Sequence, residues 1–399
     1  MGGWSGSRLA LTARSTCAGV IAALALALLA NPAAAAEKVK MSTFQSNFCC
    51  FPVYVAQHLK LFEKHGVEVE LVYGTGIQVA NILISGSTDF GAFAIEHGVA
   101  VTSKGQDVKL LVVTLTRPPF SVIVRNEVPT PNAGKPYPQM LADLKGLKIG
   151  ISTPGASTDV TLRFLLREAG LDPQKDVTIV PVGDPTTALA GLKNGLIDGN
   201  MSVEPTQTAA VTGLKIAKHV LNIENGEGPE LFRDFAYNGV FARGSTIKER
   251  PQAARAVVAA IVEAEQRIQD PNQLDEIVKV AQAYMRGINV DLLRTYLQTY
   301  RGNFSPVATP AAIRNISQML LAGKLIAQPV SWSQGWRRTS CRASFPSRRI
   351  IDRGRVGNGR APHRGRCGRR RWCRARPPPC DIRPPRGRRS PAQAPTRRI

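Results

Sequence analysis

Four short clusters in this sequence carry groups able to do chemistry: Cys49-Cys50-Phe51, Gly74-Thr75-Gly76, Ser157-Thr158 and Glu204-Pro205. Three of them stand at or beside the starts of helix-periodic runs, where backbone N–H groups have no partner within the helix and the helix dipole is positive. Hydroxyls and glycines in such places suit the holding of a sulfonate, carboxylate or nitrate oxygen. Acid–base, nucleophilic or metal-assisted catalysis asks for several reactive groups in a recognisable arrangement, and the body of the chain presents neither a catalytic triad nor a metal-ligand cluster. Grasping a small anion is favoured over transforming one, with no catalytic residue, cofactor or metal expected.

Those clusters need elements to position them. From Leu147 to Pro205 the chain reads strand, turn, helix, strand, turn, helix, strand. Lys148–Ser152 is a short apolar strand, and Thr153–Ser157 supplies Pro, Gly and a capping hydroxyl. Val160, Leu162, Phe164, Leu165 and Leu166 then recur at helical spacing up to Gly170. Val177–Val182 is the next strand, and Asp184-Pro185 opens a second helix with Asp184 as cap and Pro185 at its first position. Alternation of this kind predicts a parallel sheet, which binds ligands beyond the carboxyl ends of its strands.

The remainder of the body follows the same grammar. Val39–Phe44, Val67–Val72, Asp89–Phe93, Lys109–Leu115 and Phe120–Arg125 are predicted strands, with helices over Pro52–His65, over Ile77–Ile84 and from Glu96. Asn126–Leu141, with four prolines, is a connector. A helix carries Ala209–Val211, Ala217–Leu221 and Phe235–Ala242 are strands, and Glu249 to Leu325 is helical. Chain crossings near Phe120–Arg125 and Phe235–Ala242 divide the body into a discontinuous first lobe, residues 37–120 and 238–330, and a second lobe, residues 121–237.

The formal charge of +23 belongs to one end. Residues 331–399 hold 21 arginines, no lysine, and only Asp352 and Asp381 as acids, which leaves 31 basic and 27 acidic residues, a net +4, in the rest. That stretch lacks periodic apolar runs and is rich in Pro and Gly, so it is expected to be disordered. Arginine without any lysine reads as GC-rich DNA translated out of frame, and no nucleic-acid partner is expected. At the other end, Arg8 and Arg14 precede the apolar run Ala18–Ala30, and Ala33–Ala36 offers a cleavage site. Residues 1–36 are predicted to be a secretory signal and the mature product to be periplasmic. Of seven cysteines only Cys49 and Cys50 lie in the body, which is no disulfide framework.

Ordered along the body are Pro52-Val53-Tyr54-Val55-Ala56, Leu61-Phe62-Glu63-Lys64-His65-Gly66, Gly86-Ser87-Thr88-Asp89-Phe90-Gly91, Leu144–Gly150, Ala169–Pro173, Asn194–Gly199 and Glu204-Pro205. In order and spacing this set resembles the periplasmic substrate-binding proteins of ATP-driven importers, in the nitrate/sulfonate/taurine-type group, across residues 37–330. The resemblance implies an α/β, two-lobed periplasmic-binding-protein fold of type II character with C-terminal helices. It also implies hinged closure on a small anionic ligand and docking on the membrane permease of an ABC importer. The candidate ligand contacts are then Phe44, Cys50, Phe51, Thr75, Gly76, Phe93, Glu96, Ser157, Thr158 and Glu204.

Each candidate has a structural role to set beside this. Ser157 and Thr158 suit helix capping, Gly74 and Gly76 a tight turn, the three phenylalanines the core, and Glu96 with His97 buried polar contacts. Cys49-Cys50-Phe51 also resembles, in shorter form, the Cys-rich loop of the thiamine-pyrimidine synthases of this fold. That resemblance supplies the alternative function: binding or synthesis of a thiamine pyrimidine precursor with Cys49, Cys50 and a nearby histidine such as His58 or His97.

Overall fold

The computed structural model describes residues 36–331 apart from Arg286. All but the last residue of the expected signal segment and all but the first residue of the arginine-rich stretch lie outside the described residues. Among the described residues no helix is long and apolar enough to cross a membrane.

Nine strands, most of them joined by helices, come first along the chain: β1 (Glu37–Thr43), β2 (Val67–Tyr73), β3 (Phe90–Ala94), β4 (Val108–Leu115), β5 (Phe120–Arg125), β6 (Lys148–Ile151), β7 (Thr178–Pro181), β8 (Gly199–Val203) and β9 (Ala217–Asn222). A tenth, β10 (Asn238–Arg243), returns to the start. They form two five-stranded sheets, ordered β2-β1-β3-β10-β4 and β7-β6-β8-β5-β9. In each, three parallel strands from strand–helix units carry one antiparallel strand: β10 against β3 and β4, β5 against β8 and β9. The chain therefore passes between the sheets twice, at residues 116–119 and 223–237. β3 is buried along its whole length, the pattern of a strand covered by helices on both faces.

Local chemistry sets the helix boundaries. Asp184 accepts hydrogen bonds from the amides of Thr186 (2.8 Å) and Thr187 (3.0 Å), and Pro185 opens the Pro185–Lys193 helix. Gly170 closes the Ser157–Glu168 helix with φ +74°. The predicted Pro52–His65 helix is instead two helices, Phe51–His58 and Leu61–Lys64, because Lys60 turns left-handed at φ +53° and Leu61 and Phe62 bury themselves in the core. After Pro205 the helix widens into a π-turn, Thr208–Gly213, against which Leu292 packs closely at Gly213.

The C-terminal helices hold more than one sheet. Pro251–Gln269 packs on the Phe51–His58 helix and β4, both of the first sheet's layer. Val290–Tyr300 touches the π-turn of the second sheet's layer, and Pro310–Ala322 packs on both Ile95–Ser103 and Ser157–Glu168. One large apolar cluster runs through both layers, with a small satellite of Ile123, Leu192, Ile197, Ala210 and Ala217 behind the second sheet.

Candidate functional site

The first loop after β1 builds one wall. Asn47 caps a short 3₁₀ turn, Phe48–Cys50, by accepting from the amide of Cys49 (3.0 Å), and Pro52 lets the Phe51–His58 helix follow at once. Tyr54 O–H donates to the carbonyl of Phe44 (2.5 Å), tying the helix back to the half-buried end of the strand. Phe51 lies in the core, its ring 5.2 Å from Phe48 and 5.8 Å from Phe304. Phe48 in turn packs 4.2 Å from Tyr296 of the Val290–Tyr300 helix.

Under this turn sits Asn238, the first residue of β10. Its Nδ2 donates to the carbonyl of Cys49 (2.9 Å), to Cys50 Sγ (3.4 Å) and to Thr114 Oγ1 (3.1 Å). Both thiols are free and buried, with Sγ atoms 3.8 Å apart. Burial, together with its pairing to Cys50, pushes the Cys49 thiol well up. Burial works the same way on Cys50, but the neighbouring Cys49 thiol, Thr43, the Phe44 backbone and the Asn238 amide together outweigh it and bring that thiol below its ordinary range.

Glu96 comes from the first turn of the Ile95–Ser103 helix, directly beyond β3. It is 2% exposed, the Ser157 side chain lies close enough to favour its ionised form, and Oε2 has no hydrogen-bond partner among the described residues. Burial lifts its pKa to about 7, against the smaller opposing pull of Ser157 and its own backbone amide. Ser157 is the first residue of the helix that follows β6, and its side chain also neighbours the buried phenol of Tyr237. Glu96, Ser157 and Tyr237 thus join the two sheets' layers to the segment that crosses between them. Beside them Gly76, at φ +50°, is so close to the second layer that a Cβ there would stand 2.5 Å from Thr153 Oγ1 and 3.4 Å from Ala156 Cβ.

A second buried group flanks this one. Glu204, at a cis peptide bond to Pro205, accepts from Thr208 Oγ1 (2.7 Å), and burial raises its pKa to about 7. Glu224 is pushed well above the carboxylate range by burial and by Glu204. It accepts from Tyr296 O–H (2.9 Å) and Gln207 Nε2 (3.2 Å), while Gln207 Oε1 is left without a partner among the described residues. Tyr296 therefore touches both groups, through Phe48 on one side and Glu224 on the other.

The structure brings Cys50, Glu96 and Ser157 into one buried neighbourhood, with Gly76 against the start of the Ser157 helix and Glu204 in the adjoining group. Thr158 faces its own layer, accepting from the Ser152 amide (3.0 Å) and sharing a hydrogen bond with the Ser152 hydroxyl (2.8 Å). Thr75 is exposed and bonded to Gln78 (3.0 Å). Phe93 is stacked on Phe241, 4.3 Å away, as core. His97 is buried and held neutral, its pKa pushed down to about 4, whereas His58 is exposed. Among the described residues no three His, Cys, Asp or Glu side chains gather to hold a metal ion. Sequence reasoning missed Tyr237, Asn238, Thr114, Glu224 and Tyr296. The one local signal was polar Asn238 inside the apolar run Phe235–Ala242.

The comparisons with known proteins agree with this architecture. A family model described as the NMT1-like family matches residues 33–282. The nitrate/nitrite binding protein NrtA of Nostoc sp. is 32% identical over 139 residues, 35% of this chain and 30% of that protein. The bicarbonate-binding protein CmpA of Synechococcus elongatus is 22% identical over 249 residues, 57% of this chain and 53% of that protein. The chain thus spans about a third to a half of the length of these two relatives. Among solved structures, the periplasmic aliphatic sulphonate binding protein SsuA of Escherichia coli superposes with a TM-score of 0.57 at 19% identity, over 75% of this chain and 96% of that one. The two-lobed α/β periplasmic-binding-protein fold expected from the sequence is the fold found.

Proposed function

The chain belongs to the NMT1-like family, and on that premise we propose that it is the exported solute-binding component of an ATP-driven importer. It captures a small anion of the sulfonate, nitrate or organic carboxylate class between its lobes and delivers it to a membrane permease from the periplasm. The observation that carries this reading is the junction of Glu96, Ser157 and Tyr237. There the start of a twelve-residue helix from one layer meets the first turn of a helix from the other beside a chain crossing. A hydroxyl and unpaired amides at a helix start hold an anion without a buried counter-charge, so the solute is also free to leave. Moving one lobe away from the other would open this junction, which is what hinged capture requires.

Calorimetric titration of the mature protein with nitrate, methanesulfonate, taurine, benzoate and a hydroxymethylpyrimidine tests it. One saturable ligand among the anions is the expected result; no heat from any of the five overturns the reading. The Cys49–Cys50 pair supports a second reading, binding or conversion of a thiamine pyrimidine precursor, because the two buried thiols adjoin each other and Asn238 Nδ2 donates to the Cys50 sulfur. Saturation by the pyrimidine alone, lost in Cys50→Ser, would favour that reading instead.

A further inference from the structure

Two features of the Glu96 junction conflict with a site that merely awaits an anion. The Ser157–Glu168 helix start already faces a carboxyl group from the opposite layer, where a solute's anionic oxygen is expected to lie. That carboxyl is 2% exposed and keeps one oxygen, Oε2, without a partner among the described residues. An ionised Glu96 and an anionic solute cannot share this space, because two like charges in a desolvated junction repel each other strongly. A neutral carboxyl has no such conflict: its O–H is a donor, and the free oxygen position gives it somewhere to point.

We propose that Glu96 is a specificity-determining residue of the binding site that works in its acid form, donating its proton in a hydrogen bond to the solute's anionic oxygen while the Ser157 helix start holds that anionic group. The solute is thereby bound together with one proton. This inference rests on the solute-binding reading above and adds the group that tells an oxyanion from a solute bearing N–H donors, which would call for Glu96 ionised.

The surroundings of Glu96 are suited to this. Cys49 of the 3₁₀ turn and Tyr237 of the crossing segment are both pushed up by burial, so neither carries charge near neutrality. His97, on the same helix, is held neutral by burial. On the Ser157 helix, Asp159 is paired with Arg163 at 2.6 Å. Arg314, on the Pro310–Ala322 helix packed against the Ile95–Ser103 helix, is exposed. Cys50, with its lowered thiol, is the other group near the junction able to titrate, and substitution of Glu96 separates the two. With Glu96 poised at about 7, the protonated fraction falls about tenfold per pH unit above neutrality.

The test is titration of nitrate, methanesulfonate and benzoate into the mature protein from pH 5.5 to 9, in two buffers of different ionisation enthalpy. The wild type is expected to bind with a Kd that is flat below about pH 7 and rises about tenfold per unit above it, taking up about one proton at pH 8. Glu96→Gln, which keeps a neutral amide in place of the acid, is expected to bind with a flat profile and no proton uptake. Glu96→Asp is expected to restore the pH dependence. A Glu96→Gln profile that still bends like the wild type, or a wild type that takes up no proton, overturns the inference and leaves the binding function standing. Affinity that rises with pH overturns it in favour of an N–H-bearing solute. Saturation by none of the probes at any pH removes the binding reading itself, and this inference with it.

Discussion

Glu96 is costly to the fold before any solute arrives. In an unfolded chain its carboxyl ionises in the ordinary range near 4.5, whereas in the folded protein burial delays ionisation to about 7. Between those values the unfolded state binds fewer protons than the folded one, so stability falls as pH rises, and the loss is complete above the folded value. The shift corresponds to on the order of 3 kcal/mol, an upper figure for one buried group. Glu96→Gln is therefore expected to match the wild type at pH 4.5 and to be more stable at pH 8, read from chemical denaturation at both pH values. A variant no more stable at pH 8 would mean that the carboxyl is solvated and free to ionise. Retention of so costly a residue in an apolar neighbourhood is more easily understood if its proton has a use.

Among the elements, the loop from β2 into the Gln78–Ile84 helix controls how closely the two layers meet. Gly76 holds φ +50°, a conformation that costs a residue with a side chain about 1–2 kcal/mol, and a Cβ there would press on Thr153 Oγ1 at 2.5 Å. Gly76→Val is thus expected to weaken solute binding by about tenfold, to increase the ligand-free radius of gyration in small-angle scattering, and to lower the melting temperature by several degrees. An unaltered radius with unaltered affinity would show that this contact plays no part in closure. The loop itself was legible in the sequence, since Gly-Thr-Gly after an apolar strand signals a turn into a helix. So were the ten strands and the helical character of the C-terminal part, because their apolar periodicity is local information. The break at Lys60 was not: nothing in the local pattern forces a left-handed lysine, and burial of Leu61 and Phe62 against distant residues decides it. The junction of Glu96, Ser157 and Tyr237 was only partly visible for the same reason. Ser157 and Glu96 announce themselves as helix-start residues, but their pairing, and the part of Tyr237 in it, depends on contacts across 61 and 80 sequence positions. Thr158 and Phe93 had the same local signature as the other candidates, and tertiary packing turned them toward their own layer and the core.

At the scale of the whole molecule, buried acids set an unusual dependence of stability on pH. Glu96 and Glu204 are raised to about 7, and Glu224 and Glu265 are raised as well, all chiefly by burial. Each contributes stability that is greatest below about 4.5 and lost as pH rises through its folded value. Pulling the other way, Glu263 is lowered to about 2 by Lys64, His65 and Arg267, against its own partial burial, and helps only while ionised. Glu263 is partly open to solvent and screened, so the buried acids win between pH 5 and 8. The melting temperature is accordingly expected to be highest near pH 5 and to decline steadily toward pH 8, measured by calorimetry at constant ionic strength. The Glu204–Glu224 pair should dominate the decline, because two neighbouring buried carboxyls repel once both ionise, and Tyr296, bonded to Glu224, carries that strain into the Val290–Tyr300 helix. Replacing both by glutamine is expected to flatten the curve. A melting temperature that instead rises to a plateau at pH 7–8 would mean that these acids ionise with little penalty and that water reaches the seam between the lobes.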